Sequence, residues 1–241
     1  NSYPALVGAQ GGLTPLLRNP WMAVHPPAQY LGYVSTALPF ALTLAALVEA
    51  MGGSPGESPE RGAYTRWRRA LRAPLLFSWV FLFLGMVLGM VWAYEEADWG
   101  GYWSWDPVEN ASLMPLLTAT AALHCLGQKG RGFRWAAILG VMATFFLTLF
   151  GTFLTRTGVL ESVHTFGKDR FLTHAFLGLL AGGLLLSAAL TVKGAQGLTL
   201  FPQPPTPSPG PTPSRLAQMG RWSLGLGVAI LFLGALYLTM A

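Results

Sequence analysis

Charge is what this sequence has least of. Only 10% of its 241 residues are Asp, Glu, Lys or Arg, against about 25% in a typical soluble domain. A soluble chain of this size needs a polar skin, and there are too few charges here to make one. Apolar residues reach 52% and mean hydropathy is +0.45, so an ordinary soluble globule and a disordered chain are both excluded. Cysteine is almost missing too. Cys125 stands alone, so no internal disulfide and no paired-cysteine motif can be built. There is no nucleotide-binding loop, no hydrolytic nucleophile pattern and no internal repeat. A signal peptide is also lacking and the chain begins with Asn, so it is expected to be a piece of a longer protein.

What is present is a series of long apolar runs. A helix needs about 20 residues to cross about 30 Å of hydrocarbon. Six runs have that length: 30–50, 74–94, 108–126, 135–154, 171–192 and 222–241. Backbone groups in lipid must be satisfied internally, which leaves helices or closed barrels. The runs do not alternate as barrel strands do. The fold class expected is therefore all-α, a polytopic membrane helix bundle with six transmembrane helices, forming part of a larger bundle. Residues 1–192 would be its core, 193–221 a cytoplasmic linker that is Pro-rich at 202–213, and 222–241 the last transmembrane helix. Residues 52–60 (GGSPGESPE) form a second flexible stretch.

The basic residues set the orientation. Arg61, Arg66, Arg68, Arg69, Arg72, Lys129, Arg131, Arg134, Lys193, Arg215 and Arg221 fall in the loops of one side, and only Arg18, Arg156, Lys168 and Arg170 on the other. Seven of the acids (Glu95, Glu96, Asp98, Asp106, Glu109, Glu161 and Asp169) lie on that second side. The positive-inside rule makes the first side cytoplasmic and accounts for the net charge of +5 with no nucleic-acid partner.

Three external segments follow: 15–33, 95–110 and 154–166. The second holds Trp99, Tyr102, Trp103 and Trp105 within seven residues. An interfacial aromatic belt would look like this. However, Gly100 and Gly101 permit close backbone approach, and Asp106, Glu109 and Asn110 follow at once. If 99–106 is helical, Trp99 and Trp103 share a face at i, i+4. That gives an aromatic platform with carboxylates and an amide beside it, suited to a large planar ligand with polar edges. The first and third segments add His25 and His164. Each could be merely solvated, but a pair of imidazoles flanking such a platform could hold haem iron. Pro26 and Pro27 would stiffen the chain beyond His25. Arg156 could pair with a propionate. A CxxCH motif is absent, so covalent c-type haem on this chain is excluded.

His124 lies at the cytoplasmic end of the third run. An ionisable residue in a spanning helix is a functional candidate by default, although a hydrogen bond to a neighbouring helix would also explain it. A haem there would need a second ligand at the same depth, and no other histidine qualifies. His174, Cys125, Met86, Met90, Met114 and Met142 read as structural, and Pro115 as a kink in the third helix.

WGGYWSWDPVENASLMPLL (99–117) closely resembles the tryptophan-rich signature, the WWD domain, of haem-handling proteins of cytochrome c biogenesis. DPVENAS at 106–112, LTPLLRNPWMAVHPPAQYLGY at 13–33 and GTFLTRTGVLESVHTF at 151–166 look like the CcmF type, the haem lyase subunit of the cytochrome c maturation system. The related haem exporter continues its signature differently. The resemblance covers roughly 1–190. Tyr102 departs from the pattern, since many relatives have Trp there, and an aromatic platform tolerates that change. No function attaches to 193–221.

The resemblance implies haem bound externally at the tryptophan-rich loop with His25 and His164 as iron ligands. It also implies a permanent haem b in the bundle, with His124 as one ligand and its partner outside this chain. Implied partners are a haem chaperone of CcmE type, apocytochrome c, a thioredoxin-like or apocytochrome-chaperone subunit of CcmH type, and the lipid membrane. The implied place is the bacterial inner membrane with the haem site on the periplasmic side. The implied enzyme activity is haem lyase, thioether formation between haem vinyl groups and CxxCH thiols. The alternatives are a membrane b-type cytochrome for electron transfer, disfavoured by having His25 and His164 in loops, and a haem transporter, disfavoured because the unusual residues gather at one face rather than the midplane.

Overall fold

A computed structural model describes residues 18–51, 63–96, 100–128, 130–160 and 170–199. These form six helices: α1 (Pro20–Ser35), α2 (Ala37–Met51), α3 (Ala63–Glu96), α4 (Pro107–Leu126), α5 (Arg131–Thr157) and α6 (Arg170–Thr199). No strand occurs among the described residues, so the all-helical expectation holds. Among the described residues, four stretches are long and apolar enough to cross a membrane: Pro20–Met51, Tyr64–Glu96, Gly132–Thr157 and Arg170–Gly194. They contain the expected runs 30–50, 74–94, 135–154 and 171–192. Run 108–126 is helical as α4, but it is not among the four. Asn110, Ser112, Thr118, Thr120 and His124 dilute it, and it is the helix most enclosed by others, with Ala111, Met114, Ala119 and Ala122 fully buried. Run 222–241 and the Pro-rich 202–213 lie outside the described residues. α6 continues to Thr199, past the expected linker boundary at 193.

Helix α1 corrects the expectation of an external loop over 15–33. Asn19 caps it, its side chain accepting from the Trp21 amide at 2.8 Å, and Pro20 occupies the first turn. Proline suits that position because its missing N–H would find no helical partner there. Pro26 and Pro27 stand inside the helix, at the cost of two backbone hydrogen bonds. Close packing on α3 outweighs that loss.

The packing is antiparallel along the full seam. Asn19 meets Glu95 and Glu96, His25 meets Gly89, Gln29 meets Gly85, Gly32 meets Leu82, Ser35 meets Ser78, and Thr43 meets Trp67. α4 and α5 pair in the same sense, with Thr118 to Thr144 at 2.9 Å and Ala122 against Gly140. Interhelical hydroxyl and amide bonds of this sort join helices whose apolar faces lipid would satisfy equally well. One end of the bundle therefore gathers the start of α1, the end of α3, the start of α4 and the end of α5. The opposite end holds the Arg66–Glu49 ion pair and Arg134 over the Tyr64 ring at 4.7 Å. Basic residues dominate there, as the positive-inside reading requires.

Candidate functional site

The chain leaves α3 after Glu96 and enters the aromatic segment, of which residues 100–106 are described. They are not helical, so Trp103 gains no neighbour by helical spacing. Gly100 has φ +66, and a Cβ there would meet nothing within 4 Å. Its glycine serves the left-handed backbone and not a close approach. Trp105 also has positive φ, at 62, and is the one non-glycine residue to do so among those described. Such a conformation costs about 1–3 kcal/mol and persists only when the surroundings impose it.

What imposes it is the start of α4. Asp106 is the N-cap and accepts from the Val108 amide at 2.8 Å. The Glu109 Oε2 accepts from the Asp106 amide at 3.2 Å, the Ser104 amide at 3.0 Å and the Ser104 hydroxyl at 3.1 Å. This is a reciprocal capping box extended one step back into the loop. Asn110, fully buried, donates from Nδ2 to the Trp105 carbonyl at 3.0 Å. The D-P-V-E-N stretch thus frames the loop. Asp106 and Glu109 do not stand beside the rings as free polar edges, because both carboxylates are engaged in the cap.

The frame presents an aromatic surface. Trp103 and Trp105 meet edge to face, with centroids 6.0 Å apart at 84°. Tyr102 stacks on Tyr94 of α3, 4.3 Å apart at 9°. Tyr102 is 52% and Trp105 49% exposed, a large apolar area to leave uncovered. The Trp103 Nε1 is buried with no hydrogen-bond partner, as is the Asn110 Oδ1. Orphaned polar atoms of this kind call for an explanation such as a ligand group.

His25 lies on α1 and not in a loop. Its Nδ1 is 2.7 Å from the Gly85 carbonyl oxygen of α3. A carbonyl can only accept, so Nδ1 carries the proton, and in the neutral ring the lone pair then falls on Nε2. Asn19 Nδ2 donates to Glu95 at 2.9 Å and to Glu96 at 3.0 Å, and Trp21 Nε1 donates to Glu95 at 3.0 Å. The last turns of α3 therefore anchor both the start of α1, with His25 below it, and the aromatic loop through Tyr94. Arg156 is exposed in the last turn of α5, which ends at the same face on Gly158 with φ +62. His164 and Trp99 lie outside the described residues.

His124 is exposed in the last turn of α4, at the other end of the bundle. No cluster of three or more His, Cys, Asp or Glu capable of holding a metal occurs among the described residues. One outward-facing imidazole fits a shared metal ligand whose partner comes from elsewhere. His174 back-bonds to the Arg170 carbonyl at 2.6 Å. Sequence reasoning missed Asn19, Trp21, Tyr94 and Glu95 as organisers of this end. The Asn-Pro pair opening α1 was a readable cap signal; the cross-helix partners had none.

The family model described as "Cytochrome C assembly protein" matches residues 2–161. The chain belongs to the cytochrome c assembly protein family. It is 44% identical over 198 residues to the cytochrome c-type biogenesis protein CcmF of Pseudomonas aeruginosa, covering 78% of this chain and 28% of that one. It is 44% identical over 180 residues to CcmF of Escherichia coli (72% and 26%). It is 45% identical over 160 residues to CycK of Bradyrhizobium diazoefficiens (65% and 22%). Within the family the chain is of the CcmF type, and it spans about a quarter of the length of the curated relatives it matches. No solved structure matches it. A multi-pass membrane protein of cytochrome c biogenesis is what these findings and the four long apolar helices establish together.

Proposed function

We propose that this chain carries the haem-presenting site of a cytochrome c haem lyase in the bacterial inner membrane, facing the periplasm. The observation that carries the proposal is the aromatic loop held in a strained conformation by Asp106, Glu109 and Asn110, at the same bundle end as His25. Half-exposed Tyr102 and Trp105 offer ring faces to a porphyrin, and Trp103 packs edge to face against Trp105. His25 Nε2 and His164 supply the iron ligands, and Arg156 meets a propionate. Haem here is substrate, delivered by a chaperone of CcmE type, while a CcmH-type subunit presents the reduced apocytochrome.

The reaction is addition of each CxxCH thiol across a haem vinyl group. A carbon–sulfur bond forms at one vinyl carbon, the proton goes to the other, and no net oxidation occurs. The chain's contribution is positioning, since fixed reactants gain large effective molarity. A resident haem b would add one-electron chemistry; His124 would hold it from one side.

The test is formation of c-type haemochrome when the complete protein receives haem-loaded chaperone and reduced apocytochrome. Trp103→Ala with Trp105→Ala should lower the rate at least tenfold. An unchanged rate would defeat the proposal. A second reading, a b-type cytochrome for electron transfer, gains from His25 being on a helix and not in a loop. Quinol oxidation without any apocytochrome would favour it. Haem crossing vesicles that contain the protein alone would favour a transporter.

A further inference from the structure

The seam between α1 and α3 contains a feature that the haem reading does not use. Gly85 and Gly89 are four residues apart, on the face of α3 that meets α1. A Cβ at Gly89 would lie 2.7 Å from His25 Cε1 and 2.8 Å from His25 Nδ1, closer than side chains tolerate. The imidazole thus occupies the volume where any other residue at 89 would put its side chain. Only through that gap does Nδ1 reach the Gly85 carbonyl at 2.7 Å. That carbonyl also accepts the ordinary helical bond one turn on, and its second lone pair serves the histidine. Gly85 plays a different part. A Cβ there would meet the Gln29 backbone at 2.6–2.7 Å, so it sets how closely the helices approach.

We infer that Gly89 and the Gly85 carbonyl are positioning elements for His25, fixing its ring plane and the neutral tautomer that presents Nε2 to iron. Histidines that ligate metals commonly donate their other ring nitrogen to a carbonyl, and loss of that bond typically weakens metal binding by about 10- to 100-fold. The inference deepens the haem reading of His25 and rests on it for its consequence. The tautomer itself can be measured with no haem present.

The experiment is solid-state NMR on the complete protein in lipid, with histidine labelled by 15N and 13C, at mildly alkaline pH. His25→Ala identifies the His25 signals. Coupling to the Cγ carbon, adjacent to Nδ1 only, reports which nitrogen bears the proton. The wild type should show the proton on Nδ1 and none on Nε2. Gly89→Ala should give a mixture of tautomers and bind haem about 10- to 100-fold more weakly. Gly32→Ala is the packing control. Its Cβ would meet the Leu82 amide at 2.6 Å, crowding the same seam seven residues from His25 and touching no part of its ring. It should leave the tautomer as in the wild type. Protonated Nε2 in the wild type, an unchanged tautomer in Gly89→Ala, or the same mixture in Gly32→Ala would each overturn the inference. The wild-type measurement decides even if Gly89→Ala fails to fold. If the tautomer is as stated but His25→Ala keeps all external haem, the ligand reading fails and the positioning stands.

Discussion

Along α1 and α3 the helices touch through glycine backbone, hydroxyls, an amide and an imidazole. Along α5 and α6 they touch through Leu139, Phe146, Leu180, Leu184 and their neighbours, and leave an open apolar cleft of about 720 Å³. A Cβ at Gly32 or Gly85 would strike backbone at 2.6 Å, whereas one at Gly178 or Gly182 would meet nothing. Only 6% of the apolar window of α6 is buried, against 56% in α5. The first seam is closed by residues this chain supplies, with Ser35 donating to Ser78 and His25 to the Gly85 carbonyl, while the Gln29 amide is buried there without a hydrogen-bond partner. The second is sparser, with Thr191 Oγ1 donating to Met142 Sδ at 3.5 Å and Phe146 set close against Gly183. The difference places the chemistry: directional contacts are concentrated where α1, α3 and the aromatic loop converge.

Substitutions can break this contrast in descending order of effect. Gly85→Ala should be the most damaging, because the Gln29 backbone cannot rotate away. Thermal unfolding in lipid should show a loss at or above the upper end of the about 1–3 kcal/mol usual for overpacking. Asn110→Ala removes the bond to the Trp105 carbonyl and should cost about 1–3 kcal/mol. Trp105 would then relax from its positive φ, seen as altered tryptophan fluorescence and weaker haem binding. Asp106→Ala deletes the cap of α4, at about 1 kcal/mol. Gly182→Ala should be neutral or raise stability by up to about 1 kcal/mol, since alanine favours helix and finds open space there. A large loss in Gly182→Ala would contradict the picture of an open face on α6 at Gly178 and Gly182.

Much of this was legible in the sequence. The five spanning runs that lie among the described residues fell inside helices because hydropathy over 20 residues reflects the solvent the helix must cross. The D-x-x-E spacing at Asp106 and Glu109 was also readable as a cap, yet read more readily as ligand chemistry. His25 was assigned to a loop because it precedes the apolar run 30–50; what makes its segment helical despite Pro26 and Pro27 is packing on α3, some 60 residues away. The glycine pair 85/89 was visible as a spacing but not as a seat for histidine, since only the partner helix gives it meaning. The aromatic loop was found by composition, while its conformation depends on a buried asparagine five residues beyond Trp105.

The most direct test is the haem content of the complete protein, read as a reduced-minus-oxidised spectrum with a pyridine haemochrome assay, for the wild type, for His124→Ala, and for His25→Ala with His164→Ala. Two separable pools of non-covalent haem are expected, one lost with His124 and the other with the paired external histidines. Full retention of haem in the His25, His164 double variant would contradict the account.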